Sequence, residues 1–136
     1  MGIGAHSTFP ETLAHLHYWS VQMTRRASKD EALDAFRTSS RIAFIRTSDG
    51  LTALNTVKEL MADRGRPHDN LYEVALWSDM LRVQGDELLY AYMVDNQAIV
   101  IPETIDAIRA LTGIVRNASE SIVKTNAALG IETAFM

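Results

Sequence analysis

Between His15 and Thr24 the odd positions are His15, His17, Trp19, Val21 and Met23, while the even ones include Tyr18, Ser20, Gln22 and Thr24. Successive side chains of a strand point to opposite faces, so this alternation predicts a half-buried strand. Both histidines fall on its more apolar side, turned toward a core or a pocket. Ser28-Lys29-Asp30-Glu31 has capping-box spacing, which predicts a short helix from Lys29 to Arg37 with Leu33 and Phe36 inward. Ile42-Ala43-Phe44-Ile45 is apolar at both parities, as suits a strand covered on both faces, and Ser48-Asp49-Gly50 then turns the chain. Leu51, Leu54, Val57, Leu60 and Met61 recur at helical spacing, with Gly65 and Pro67 to end the helix.

Leu71 to Trp77, Met80 to Gln84 and Glu87 to Val94 read as three strands, the last two joined by a tight hairpin at Gln84-Gly85-Asp86-Glu87. Pro102 suits a first helical residue; Ile105, Ile108 and Leu111 then share one face and Gly113 terminates the helix. A last helix runs from about Ser119 to Leu129 and ends at Gly130. This order of elements predicts an α+β fold, a mixed and largely antiparallel sheet with helices packed on one face, in a single domain over residues 1–136.

Composition narrows the function classes. The 136 residues are 47% hydrophobic and 22% charged, ordinary for one soluble globular domain. A net charge of −4 argues against nucleic acid or an anionic membrane as partner, since either favours a concentrated positive surface. The one basic cluster, Arg25-Arg26, reads as a solvated strand end. No apolar run approaches the roughly 18 residues that span a bilayer and no signal pattern opens the chain, so a cytoplasmic location is expected. The absence of cysteine removes disulfides, thiolate catalysis and thiolate metal ligation from these residues. Asn117-Ala118-Ser119 matches a glycosylation acceptor, a chance match without an export signal.

His15 and His17 carry the candidate chemistry. On one strand face their imidazoles are close enough to share a pocket or a metal, but a metal needs a third ligand. His6 and His68 are expected in unanchored or turn-like segments, so no metal is assigned. The plain alternative is a hydrogen-bonded core histidine beside Trp19. Asp106 and Arg109 read as a surface or helix-to-helix pair. Met1-Gly2-Ile3-Gly4 lacks the strand before and helix after that a phosphate-binding loop requires.

Two stretches carry a family resemblance: Pro10-Glu11-Thr12-Leu13-Ala14-His15-Leu16-His17 and Ile101-Pro102-Glu103-Thr104-Ile105-Asp106-Ala107-Ile108-Arg109-Ala110. They resemble the Pro-Thr-Thr-Leu-Met-His-x-His run and the Val-Pro-Glu-Asn-(Ile/Val)-Asp-Ala-(Ile/Val)-Arg-Ala helix start of the archaeal-type (type II) phosphorylating glyceraldehyde-3-phosphate dehydrogenases, in the C-terminal part of the catalytic domain. Order and spacing agree across nearly the whole chain. The resemblance implies that His15 activates a cysteine thiol and polarises the substrate carbonyl, with His17 in support. Val94-Asp95-Asn96-Gln97-Ala98 stands where the family has Val-His-Gln-Glu-Ser, and is similar to the Asp-Asn-Glu of the bacterial and eukaryotic enzymes. Asn96 would there meet the nicotinamide carboxamide; the other reading is that Asp95 and Asn96 simply end a strand. The pattern departs at Glu11 and Ala14, and a carboxylate at Glu11 would oppose an anionic phosphate substrate.

In the intact family the implied reaction oxidises an aldehyde to an acyl phosphate with NAD or NADP. These residues hold neither the cysteine nucleophile nor a nucleotide domain, so the chain is expected to be inactive alone and to use NAD or NADP only if the missing domain is supplied. It would then be a segment of a longer dehydrogenase or one half of a split one, completed by a nucleotide-binding half. The alternatives are a stand-alone, non-enzymatic ligand-binding or self-assembly module, and a metal-dependent enzyme built on His15 and His17. A homo-oligomer, most simply a dimer, is expected from an open edge on the His15–Thr24 strand and from Trp77, Tyr90 and Tyr92 over the Leu71–Val94 region.

Overall fold

The computed structural model describes residues 4–10 and 14–135, the former as backbone only. Glu11, Thr12 and Leu13 of the first motif, and the side chains of Pro10 and His6, therefore lie outside the described residues. In chain order the elements are β1 (Gly4–Pro10), β2 (Ala14–Gln22), α1 (Lys29–Arg37), β3 (Ile42–Ile45), α2 (Leu54–Asp63), β4 (Val74–Trp77), β5 (Arg82–Gln84), β6 (Glu87–Asp95), α3 (Ile101–Thr112) and α4 (Ala118–Leu129). One six-stranded sheet runs β1-β2-β6-β4-β3, with β5 continuing the line of β4 along β6. Among the described strands β3 and β4 pair in parallel and the other strand pairs are antiparallel. The α+β class and the mixed, largely antiparallel sheet are as expected.

The helical layer is divided. Val57 and Met61 of α2 pack on Ala14, Ala43, Ile45, Ala75, Trp77, Ala91 and Met93, which form the main core. Ala32 and Leu33 of α1 pack with Leu81 against Phe44, Leu88 and Tyr90, which alternate with those residues and so lie on the opposite face. Apolar residues at both parities of β3 and β6 allow this: Phe44 serves one side while Ala43 and Ile45 serve the other.

Local chemistry sets the boundaries. Ser28 Oγ accepts from the Glu31 amide at 3.1 Å and Glu31 Oε2 from the Ser28 amide at 2.7 Å, so α1 begins where the capping box places it. Helix α2 starts at Leu54 rather than Leu51, because Leu51 is engaged outside it, its carbonyl accepting Trp77 Nε1 at 2.6 Å. The strand expected from Leu71 is regular only from Val74, since the Glu73 side chain is drawn to Arg66 Nη1 and Nη2 at 2.6 and 2.7 Å. Asn117 caps α4, its Oδ1 accepting from the Glu120 amide at 2.9 Å, which gives that asparagine a structural task.

Two supports for a dimer change. β2 is not an open edge: β1 pairs along it, with His6 opposite Trp19 and Pro10 opposite His15. His6 thus lies in a strand rather than in an unanchored segment. Edge pairing draws on backbone groups alone, which is why β1 carries little signal in its side-chain pattern. Trp77 is 3% exposed and belongs to the core, leaving Tyr90 and Tyr92 as the half-buried aromatics of that region. No helix among the described residues is long and apolar enough to cross a membrane.

Candidate functional site

Ala14 and Leu16 face the α2 core, and this fixes the direction of their neighbours. His15, His17 and Trp19 are turned to the other side of the sheet, half-buried rather than enclosed. The antiparallel register with β6 sets His15 opposite Val94, His17 opposite Tyr92 and Trp19 opposite Tyr90. The two imidazoles meet edge to face with ring centroids 6.0 Å apart. His17 stacks on Tyr92 at 4.8 Å with the ring planes 13° apart, and Trp19 Nε1 donates to the Tyr92 hydroxyl at 3.2 Å. Tyr90 continues the row, 6.2 Å from Tyr92 and 5.1 Å from Phe36 of α1, and burial beside Tyr92 pushes its phenol above the usual range.

The face is therefore an aromatic row ending in two imidazoles. Its packing fixes the ring plane of His17, while His15 stands at the end of the row. Histidine is the side chain suited to taking and returning a proton near neutrality, so the arrangement offers acid–base chemistry along a sheet face that α1 covers in part. Tyr92 and Trp19 as supports of the histidines were not foreseen. The alternation of Leu88, Tyr90 and Tyr92 in the hairpin strand is the signal that would have paired them with Val21, Trp19 and His17.

Asn96 follows β6 two residues beyond Val94, the partner of His15, and so lies at the same end of the sheet, half-buried. Asp95 ends the strand on the α2 side. Its Oδ1 accepts from the Gln97 and Ala98 amides, each at 3.0 Å, and its Oδ2 meets Lys58 Nζ at 2.5 Å. Burial alone would raise this carboxyl, but the hydrogen bonds from Lys58 and the two amides outweigh it and hold it below the usual range. The strand-ending role weighed for Asp95 is thus its geometry. Lys58 was not foreseen, and no local pattern links it to a residue 37 positions away. His68 lies in the left-handed region, φ 54°, in a short turn. Among the described residues no group of three or more His, Asp or Glu side chains is placed to hold a metal ion.

Asp106 is held low in the same way, with burial opposed by hydrogen bonds from Ser121, Thr125 and Arg41. A carboxyl whose folded pKa is depressed adds stability that is fully present above its unfolded value, about 4, and lost as pH falls through the folded one. The thermal midpoint is accordingly expected to hold steady from about pH 7 to 5 and to drop below about pH 4. Circular dichroism melts across that range check this, and a midpoint that rose on acidification would contradict it.

No protein-family model matches the chain. Individual relatives do. It is 37% identical over 122 residues to a glyceraldehyde-3-phosphate dehydrogenase of Methanobrevibacter smithii, a match covering 90% of this chain and 36% of the relative. The enzyme of the same name from Metallosphaera sedula is 32% identical over 127 residues, covering 93% of this chain and 37% of the relative. That from Pyrococcus furiosus is 35% identical over 122 residues, covering 90% and 36%. The chain spans little more than a third of the length of these relatives. By sequence it corresponds to a partial, C-terminal-like segment of the archaeal glyceraldehyde-3-phosphate dehydrogenases, and its α+β sheet is consistent with that.

Proposed function

We propose that this chain is the histidine-bearing part of a phosphorylating glyceraldehyde-3-phosphate dehydrogenase, acting in the cytoplasm. The cysteine nucleophile and the nucleotide site come from polypeptide beyond these 136 residues. The observation that carries the reading is the half-buried His15–His17 pair against Tyr92, at the sheet end that also bears Asn96. His15 takes the proton of the attacking thiol as sulfur bonds to the aldehyde carbon, and returns it to the carbonyl oxygen. His17, fixed by its stack, keeps the neighbouring imidazole in place. NAD or NADP would supply the hydride acceptor when bound; as the hydride leaves that carbon His15 takes back the hydroxyl proton, which leaves a thioester from which inorganic phosphate displaces the thiolate. The half-buried amide of Asn96 offers one donor and one acceptor, the complement of a carboxamide, and is the residue here that would meet the nicotinamide.

The purified chain alone is expected to give no reduction of NAD or NADP with glyceraldehyde 3-phosphate above buffer. Absorbance at the reduced-nicotinamide band reads this, and turnover that scales with protein and survives further purification would overturn it. In a chimaera where the chain replaces the matching segment of the Methanobrevibacter smithii relative, turnover should return. A folded but inactive chimaera would leave the chain a non-enzymatic binding or self-assembly module.

A further inference from the structure

Helix α3 is turned the opposite way from a solvent-facing helix. Asp106 and Arg109 are turned inward: Asp106 accepts from Ser121 Oγ at 2.5 Å and Thr125 Oγ1 at 2.6 Å, and pairs with Arg41 Nη2 at 2.5 Å. Arg41 also reaches Glu103 at 2.5 Å and Asn126 at 3.0 Å, while Arg109 donates to Thr125 Oγ1 and, at 3.1 Å, to the Ser121 carbonyl. Ile108 and Leu111 lie on the outer side, with Ile101 and Ile105 half-buried at its margin. Ile108 is 54% exposed, Leu111 87%, and Ile114 just beyond the cap 70%. Five of the seven large hydrophobic side chains exposed among the described residues lie on or beside α3 and α4. A helix packed only for its own segment would bury Ile108 and Leu111 and solvate Asp106 and Arg109. Here a fixed ion-pair network holds the apolar side out.

We propose that this face of α3 is the seat of the dehydrogenase polypeptide that the chain does not span, whether that polypeptide is continuous with it or separate. The inference rests on the functional reading above. The relatives carry nearly two thirds of their length outside the matched segment, so that length must meet this segment across some surface. The stripe contains no charged residue, which excludes a phosphate-bearing partner. The polar side lies beneath α4 instead of presenting lysines and arginines, unlike a helix that rests on a membrane. A contiguous apolar patch of this kind marks a protein contact.

The test uses site-directed labelling, made clean by the absence of cysteine from the 136 residues. Leu111→Cys is to be reacted with a maleimide in the isolated chain and in the Methanobrevibacter smithii chimaera, with modification of that peptide followed by mass spectrometry. Labelling is expected to slow at least tenfold in the chimaera, while Arg37→Cys on α1, at a side chain 58% exposed, reacts at the same rate in both. Equal rates at Leu111 in the two proteins would overturn the proposal. So would slow labelling in the isolated chain with sedimentation at twice 15.1 kDa, because a second copy would then be the occupant. The two readings fail separately. Protection of Leu111 without His15-dependent turnover keeps the seat and removes the catalytic role; turnover lost in His15→Asn with Leu111 unprotected does the reverse.

Discussion

His15→Asn in the active chimaera is expected to lower turnover by about 10² to 10⁴, the usual worth of a positioned general acid–base group. The substitution keeps a polar side chain that cannot exchange a proton near neutrality, and β2 is held in register by β1 and β6 on either side, so the fold should be unaffected. The loss should fall on kcat with little change in KM, because the proton transfer belongs to the transition state and not to ground-state binding. His17→Asn is expected to cost less, since that ring is already committed to the Tyr92 stack at 4.8 Å. Steady-state kinetics of the two variants decide between them: an unchanged kcat for His15→Asn, or the larger loss at His17, would reassign the role.

Arg66→Met is expected to destabilise the chain by about 3–5 kcal/mol, the cost of leaving a buried charge without its partner. Glu73 is fully buried and forms a two-pronged pair with Arg66, and its Oε1 also accepts the Glu132 amide at 2.9 Å. Arg66 in turn donates to the Gly130 carbonyl at 2.7 Å and lies 5.6 Å from the ring centres of both Tyr72 and Phe135. One guanidinium therefore ties α4 and the C-terminal residues to α2 and β4. Small domains are stable by only about 5–15 kcal/mol, so the loss removes a large fraction of the total. Arg66→Lys should recover little, because an ammonium cannot reproduce the planar fork. Removing both charges, Arg66→Met with Glu73→Leu, should recover most of it. Urea unfolding midpoints test this; a single variant costing less than about 1 kcal/mol would show that water reaches Glu73 in the folded state.

Much of this was legible in the residues because local signals and the fold agree. The capping box at Ser28, the glycines at 113 and 130, and the alternation through His17 and Trp19 each act within a few residues, and each stands in the structure where it was read. What could not be read acts at a distance. The ends of the Lys58–Asp95 pair are 37 positions apart and those of the Arg41–Asp106 pair 65, and a lone lysine or arginine gives no hint of its partner. The division of helices between two faces depends on which parity of β3 meets which helix, and Ile42-Ala43-Phe44-Ile45 is apolar at both. The stripe on α3 was legible as a pattern, but its outward direction was not: that is set by Asp106 sinking toward Ser121 and Thr125 of the next helix.

The place of β6 in the sheet also governs when the chain can fold. It pairs with β2, β4 and β5 alike, and Trp19 lies 73 positions before its partner Tyr92. Among the described strands, β2 has only β1 to pair with until β6 has been made, and a lone two-stranded hairpin is marginal in water. The loop that must close before β2 meets β6 holds α1, β3, α2, β4 and β5, an entropic barrier of the kind that places folding among the slower topologies. Leu16 and Ala14 stay wet until that closure. The β1–β2 pair thus joins the rest of the sheet late, when the central strand arrives.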